Sequence, residues 1–212
     1  MELLKVSYPR KTNRQHQAHL LQVINHCKAA VVGPGLSTSK ESAGLLKALL
    51  SAIEVPVVLD ADALNLLAQK DYVLPTRCLL TPHVGEMARL LGLEKTPVLD
   101  LGFLAKCQKY ADKKHVTLVL KGAPTFIFHP FKTPSLSIKG DPGMASAGSG
   151  DVLSGILGAL LAQGLETRDA ALLGVFLHGL AGERAAREKT SHCMIASDII
   201  RSLPSAFRRL LA

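Results

Sequence analysis

Residues 147–161 read AGSGDVLSGILGALL, a glycine-rich loop that runs directly into an apolar helix pattern. Glycines let a bound group approach the backbone, and the free amides in the first turn of a helix attract anions. Asp151 stands at that point, where its carboxylate could act as a general base on a hydroxyl that attacks a bound phosphate. Alternatively, Ser149 or Asp151 simply caps the helix, and the local pattern does not decide between the two.

On the N-terminal side of this loop, short apolar runs alternate with helical patterns, which indicates parallel α/β layers. Four buried strands are predicted at residues 29–32, 55–59, 78–81 and 116–120. Each runs into a loop with chemically useful residues: 33–35, 60–62, 81–83 and 121–123. Because ligands bind at the carboxyl ends of parallel strands, we expect these loops to converge.

The remaining pattern completes a single domain. A hairpin predicted over 125–138 places antiparallel strands at one edge of the sheet. Three helices are predicted near 150–163, 168–188 and 195–210. Because the sequence contains no internal repeat and no linker, we expect one domain over residues 1–212.

Three loops carry candidate site residues. Lys121 to Thr125 (KGAPT) brings a cation and a hydroxyl to one loop, which suits polyphosphate oxygens, although a solvated lysine before a turn is the simpler interpretation. Residues 81–86 offer the imidazole of His83 and a carboxylate, or else a helix cap. Asp60 and Asp62 could bind a metal or end a strand and cap a helix, and for Asp62 the structural role is favoured.

Composition excludes several classes of protein. With 48% hydrophobic and 20% charged residues, the chain is not disordered. Its longest charge-free apolar stretch, 152–165, is 14 residues, whereas a membrane span needs roughly 20. No apolar signal region is found in 1–22, so we expect a cytoplasmic protein without membrane contact. The four cysteines form no CxxC or Cys/His cluster, which predicts reduced thiols and no protein-held metal.

The net charge of +8 suggests an anionic partner such as nucleic acid, a phosphorylated ligand or a membrane surface. Half of that charge lies in residues 1–28, away from the loops described above. With no Trp and 4% aromatic residues, the chain is poor in platforms on which bases could stack. We therefore expect a small phosphorylated ligand and no nucleic acid.

Taken in order, five segments resemble the NAD(P)H-hydrate dehydratases, a family of the ribokinase-like fold. The segments are Val32–Leu36, Leu59–Asn65, Leu80–Glu86, Lys121–Thr125 and Gly143–Asp151. The resemblance covers about residues 30–205 and includes Leu177–Gly182 and Ala196–Ile200. It implies a three-layer α/β/α domain whose sheet is mostly parallel with an antiparallel edge.

The resemblance also implies a reaction: dehydration of hydrated NADH and NADPH, a lyase activity that repairs the cofactor. A nucleotide, ADP in bacterial members or ATP in eukaryotic ones, phosphorylates the ring hydroxyl, after which phosphate leaves and the double bond returns. Mg²⁺ and a homo-oligomer are expected with it. The implied site residues are Asp151 as the catalytic base, Lys121, Gly122, Ala123, Pro124, Thr125 and Gly150 for the nucleotide, and Gly35, His83 and Asp151 for the hydrated cofactor.

The sequence departs from the family pattern at Ser37, Asp141 and Ala147. Family members also carry a strand and an alanine-rich helix before the first strand predicted here. The resemblance therefore predicts a domain truncated at its N-terminus, with self-association or low solubility and with its activity in doubt. Two alternatives follow: a small-molecule kinase of the same fold, or an inactive fragment that binds nucleotide.

Overall fold

Six strands form one sheet, in which they pair in the order of the chain. The first strand, predicted to be buried, is only partly buried because it lies at the end of the described sheet. The computed structural model describes residues 14–211, and their side chains from residue 17, so most of the basic residues of segment 1–28 lie outside the described part. The strands are β1 (Ala30–Val32), β2 (Val57–Leu59), β3 (Cys78–Leu80), β4 (Thr117–Leu120), β5 (Thr125–Phe128) and β6 (Ser135–Ser137). The first four pair in parallel, and β4, β5 and β6 pair antiparallel. This confirms the predicted mixed sheet and its antiparallel edge.

Within the described residues, eight α-helices precede, connect or follow these strands. They are α1 (Arg14–His26), α2 (Lys40–Ala52), α3 (Asp62–Leu67), α4 (Val84–Leu90), α5 (Leu101–Lys114), α6 (Ser149–Ala162), α7 (Thr167–Lys189) and α8 (Ala196–Leu211). A short 3₁₀ helix, Pro142–Met144, precedes α6. Ser39 caps α2 as predicted, because its side chain accepts a hydrogen bond from the Ser42 amide.

Two apolar cores lie on opposite faces of the sheet because successive strand residues point to opposite sides. Val58, Leu79 and Val119 pack with α6 and α7 on one face. Leu59, Leu80 and their neighbours pack with helices α2 to α5 on the other. This arrangement is the predicted three-layer α/β/α architecture.

The parallel strands β1 to β4 bring their carboxyl ends to one edge of the sheet, as predicted. Pairing of β3 with β4 continues beyond the strands, since the Lys121 amide donates to the Pro82 carbonyl at 2.8 Å and His83 bridges to Lys121. The loops after β3 and β4 are thereby held side by side.

The four cysteines are free thiols, with Cys78 and Cys107 buried and Cys27 and Cys193 exposed. Burial raises the pKa of Cys107 to about 12, so this thiol stays protonated and unreactive at neutral pH. Between residues 14 and 211, no helix is both long and apolar enough to cross a bilayer. Val31, on the strand at the end of the described sheet, is 40% exposed. The expected self-association stays a prediction.

Candidate active site

A buried ionic cluster joins the loops after β2 and β4 to helix α6. The Lys121 ammonium lies 2.8 Å from Oδ1 of Asp60, and the Ser154 hydroxyl donates to Oδ2 of Asp60 at 2.7 Å. Asp60 and Ser154 are almost fully buried, whereas the Lys121 side chain keeps 22% of its surface exposed. The buried carboxylate therefore fixes a lysine side chain that remains partly exposed.

The glycine-rich loop at residues 147–151, here called the anion loop, lies directly over this lysine. A β-carbon placed on Gly150 would be 3.5 Å from the Lys121 Nζ and 4.0 Å from Oδ2 of Asp60. The cation thus stands beside the first turn of α6, whose free amides already attract negative charge. Lys121 and Gly150, two of the residues predicted to hold the nucleotide, are brought together.

Helix α6 begins without a side-chain cap. Its N-cap is Gly148, with φ at +86°, and neither Ser149 nor Asp151 bonds to the free amides of the first turn. The capping alternative that the sequence allows is therefore not realised. Asp151 lies in the first turn and is exposed, and within residues 17–211 its carboxylate has no hydrogen-bond or ion-pair partner. The Ser149 amide donates to the Ser146 carbonyl at 3.3 Å, which leaves the amides of Gly150 and Asp151 and the Asp151 carboxylate for a ligand.

The loop after β3 holds His83 and Glu86 in a reciprocal cap of α4. The His83 Nδ1 accepts from the amides of Gly85 at 3.0 Å and Glu86 at 3.3 Å, and the His83 amide donates to Oε2 of Glu86 at 2.8 Å. The same Glu86 oxygen lies 3.8 Å from the Lys121 ammonium. The cap interpretation of this segment is confirmed, and the cap also connects His83 to the ionic cluster.

The loop after β1 approaches the cluster through Gly33. A β-carbon on Gly33 would lie 1.7 Å from the Asp60 carbonyl oxygen, and φ at this residue is +131°, so only glycine fits. Asp62 does not cap α3 as predicted, because the N-cap is Ala61 and no side chain bonds to the first-turn amides. Its contact is structural all the same, since it accepts a hydrogen bond from the Ser37 amide at 2.8 Å. Gly35, predicted to contact the hydrated cofactor, is exposed between these anchors with φ at +69°.

Beyond Lys121, the segment predicted to bind nucleotide forms a tight exposed loop. Gly122 and Ala123 are exposed, and the peptide bond between Ala123 and Pro124 is cis. The Thr125 hydroxyl donates to the Gly122 carbonyl at 2.9 Å, so its proton is used within the loop and its lone pairs stay available as acceptors. The binding roles of these residues remain predictions.

His178 of α7 contacts Ser149, the first residue of α6. Its Nε2 lies 3.1 Å from the Ser149 carbonyl oxygen and 3.4 Å from the Ser149 hydroxyl. Burial lowers the pKa of His178 to about 4, and the Lys121 ammonium acts in the same direction. The imidazole is therefore neutral at physiological pH, and its Nε2–H donates to the Ser149 carbonyl.

The sequence pattern leaves four residues of this site unassigned: for Asp60 and Glu86 it allows two roles each, and for Ser154 and His178 it indicates none. For Ser154 a signal exists, because it follows Gly150 by four residues and so lies on the same face of α6. His178 stands at no informative spacing, and only the packing of α7 against α6 brings it to Ser149. Among residues 17–211 there is no group of three or more His, Cys, Asp or Glu side chains that could hold a metal ion.

Comparison with known proteins identifies the family. The family model described as NAD(P)H-hydrate dehydratase matches residues 2–205. The bifunctional NAD(P)H-hydrate repair enzyme of Moorella thermoacetica is 44% identical over 194 residues, covering 90% of this chain and 36% of that protein. The chain spans roughly a third to two fifths of the length of several such curated relatives.

Solved structures agree with this assignment and with the ribokinase-like fold implied by the sequence. A ribokinase-like superfamily protein from Enterococcus faecalis matches with a TM-score of 0.79 at 28% identity, over 92% of this chain and 68% of that one. The ADP/ATP-dependent NAD(P)H-hydrate dehydratase of Bacillus subtilis, co-crystallised with ATP and Mg²⁺, matches with a TM-score of 0.72 at 28% identity, over 89% and 69%. With its ordered motifs on this fold and a family match over nearly all its length, the chain belongs to the NAD(P)H-hydrate dehydratase family.

Proposed function

We propose that this chain dehydrates hydrated NADH and NADPH by phosphorylating the ring hydroxyl with ADP or ATP and then expelling phosphate. The observation that carries the proposal is the position of the Lys121 ammonium beside Gly150, in the same helix turn that presents Asp151. A cation beside the helix turn, together with the free amides and the unpaired carboxylate of that turn, suits phosphoryl transfer to a hydroxyl.

Each part has a role in the proposed transfer. The amides of the anion loop and Lys121 neutralise charge on the phosphoryl group as it moves. Asp60 fixes the lysine by a buried ion pair, so that the ammonium is already in place when the nucleotide arrives. Asp151 takes the proton of the attacking hydroxyl, for which its exposed and unpaired carboxylate is suited.

The residues of the site suit Mg²⁺ only when the ion is bound to the phosphates of the nucleotide. Asp60 and Glu86 are buried carboxylates that lie 2.8 Å and 3.8 Å from the Lys121 ammonium, so this cation already stands beside both of them. Asp151 is the exposed carboxylate of the first turn of α6 and could contact a hydrated ion on the phosphates. When bound, Mg²⁺ would reduce the repulsion between the phosphates and this carboxylate.

The test follows the recovery of absorbance of the reduced nicotinamide ring after hydrated NADH is mixed with ADP or ATP. Wild-type protein should restore the absorbance, and Asp151→Asn should slow the reaction by about 10² to 10⁴-fold while nucleotide still binds. Asp169→Asn is the matched control, because Asp169 is an exposed aspartate in the first turn of α7 and should retain the wild-type rate.

Two outcomes would overturn the proposal. One is no recovery with either nucleotide from well-folded protein, which favours the inactive nucleotide-binding fragment. The other is an unchanged rate in Asp151→Asn. A stable phosphorylated small molecule without dehydration would instead favour the kinase alternative. Since hydrated cofactor and nucleotide are small metabolites of the cell interior, we also propose a cytoplasmic location and no membrane or nucleic-acid partner.

A further inference from the structure

Helix α7 packs closely against α6 and against the segment that leads into the anion loop. A β-carbon on Gly174 would be 2.6 Å from Cδ2 of Leu157 in α6, and one on Gly179 would be 2.8 Å from the Lys139 carbonyl oxygen. A side chain at either glycine would therefore push α7 away from its neighbours. His178 is four residues after Gly174 and so lies on the same face of α7, the face that meets α6.

The imidazole of His178 donates a hydrogen bond to the first turn of α6. Its Nε2 lies 3.1 Å from the Ser149 carbonyl oxygen, and because a carbonyl oxygen can only accept, the ring proton is on Nε2. Burial lowers the pKa of this histidine to about 4, with the Lys121 ammonium acting in the same direction. At neutral pH the ring is therefore an uncharged donor that α7 holds in a fixed place.

The carbonyl that accepts this bond belongs to the same peptide unit as the Gly150 amide. A peptide unit is planar and trans, so its C=O and N–H bonds point in opposite directions. A donor on the Ser149 oxygen thus fixes the direction of the Gly150 N–H. It also polarises that N–H, because hydrogen bonds to the two ends of one amide strengthen each other. In the described part of the chain this N–H has no acceptor, and it lies in the turn beside the Lys121 ammonium.

We propose that His178 is a positioning residue for phosphoryl transfer, which directs the Gly150 N–H at the phosphoryl group through its hydrogen bond to the Ser149 carbonyl. This inference rests on the proposed function and deepens it, because it gives a residue of α7 an effect on the rate. A donor that is already in place acts on the charge that develops in the transition state, so the effect falls on kcat more than on KM.

Three variants separate the hydrogen bond from the packing of the ring. In His178→Gln the side-chain NH₂ can reach the position of Nε2, so a donor is kept. In His178→Leu an apolar side chain fills the space without a donor. His129→Leu is the matched control, because His129 is also partly buried, and its Nδ1 lies 3.0 Å from the Thr117 hydroxyl at the start of β4, away from the carboxyl ends of the strands.

We expect His178→Leu to lower kcat for hydrated NADH by about tenfold, the effect of one lost hydrogen bond, with the KM values of both substrates within about twofold of wild type. His178→Gln should recover most of this kcat, and His129→Leu should keep the wild-type value. Equal kcat values in His178→Gln and His178→Leu, whether both slow or both like wild type, would overturn the proposal, because the hydrogen bond would then have no effect of its own.

The effect on the amide can be measured without turnover. In nucleotide-free protein labelled with ¹³C and ¹⁵N, His178→Leu should shift the Ser149 carbonyl carbon and the Gly150 amide nitrogen upfield, because both become less polarised. His178→Gln should return them toward their wild-type positions, and the Gly44 amide of α2 should stay unchanged in both variants.

Unchanged Ser149 and Gly150 resonances in His178→Leu would overturn the inference even in an active enzyme. If these resonances shift as expected but wild-type protein does not dehydrate hydrated NADH, the proposed function fails, and the control of the Gly150 amide by His178 stands.

Discussion

Replacing Lys121 by Met should destabilise the protein strongly, and replacing Asp60 by Asn in the same chain should restore most of the loss. The Asp60 side chain is 2% exposed and has two partners, the Lys121 ammonium at 2.8 Å and the Ser154 hydroxyl at 2.7 Å. Lys121→Met leaves the carboxylate buried with the hydroxyl alone. Breaking a buried pair in this way costs about 3–5 kcal/mol, and because Lys121 is 22% exposed we expect the lower end, about 3 kcal/mol.

The double variant Asp60→Asn/Lys121→Met no longer leaves the Asp60 carboxylate buried without a cation. It should lose only about 1 kcal/mol, because the new amide still accepts from Ser154 and the Glu86 carboxylate still accepts from the His83 amide. The assays are urea unfolding and thermal unfolding, both followed by circular dichroism. For a chain of this size, the melting temperature should fall by about 6–12 °C in the single variant and about 2–4 °C in the double. Lys139→Met is the control, because Lys139 pairs with Glu183 at 3.5 Å in a more exposed place and should lose at most about 1 kcal/mol.

The result that would refute this reasoning is a double variant as unstable as Lys121→Met. The loss would then come from the removed lysine contacts and not from the stranded carboxylate. Binding of a fluorescent nucleotide supplies a second measurement. Both variants should bind it more weakly than wild type whatever their stability, because both lack the ammonium beside Gly150.

Two further predictions concern stability. Gly33→Ala should lower the free energy of unfolding by more than about 3 kcal/mol, since its β-carbon would lie 1.7 Å from the Asp60 carbonyl oxygen. The control Gly44→Ala in α2 meets no atom within 4 Å and should raise it by about 0.5–1 kcal/mol. Equal unfolding free energies of the two variants in urea would contradict this prediction. The pKa of His178 is about 4 when folded and 6.5 when unfolded, so the unfolded chain binds a proton that the native protein does not. His178 should therefore not affect the free energy of unfolding above pH 6.5, and should lower it by a total of about 2–4 kcal/mol between pH 6.5 and 4. The variant His178→Gln should not show this decrease when unfolding curves are measured over a series of pH values.

The layer architecture could be predicted from the sequence because it depends on short-range patterns. The buried strands stand out as continuous apolar runs such as Val57–Leu59 and Cys78–Leu80, and the predicted strands overlap the observed ones with differences of one or two residues at their ends. The antiparallel edge follows from the hairpin over 125–138, in which two alternating runs are separated by a turn.

The contacts of the site could be predicted only in part. The convergence of the four loops followed from the parallel sheet, which placed Asp60, His83 and Lys121 at one edge. The position of Gly150 beside Lys121 did not follow from it. The sequence allowed Ser149 or Asp151 as the N-cap of α6, because both are good cap residues. The N-cap is instead Gly148, which is in the left-handed conformation. A backbone angle of this kind is decided by packing around the loop, and residue preference alone does not reveal it.

By itself, the sequence determined the fold class, the order of the loops and the presence of a cation, a carboxylate and free amides near one helix start. It did so because the periods of apolar residues and the conformational preferences of glycine act over a few residues at a time. Only the tertiary structure decided that Asp60 pairs with Lys121, that Ser154 and His178 contact this cluster and the first turn of α6, and that the His83 Nδ1 accepts the hydrogen bonds that cap α4. These outcomes depend on burial and on contacts between residues from 29 to 94 positions apart or, for His83, on the geometry of a helix cap. The local sequence pattern does not reveal such contacts or such geometry.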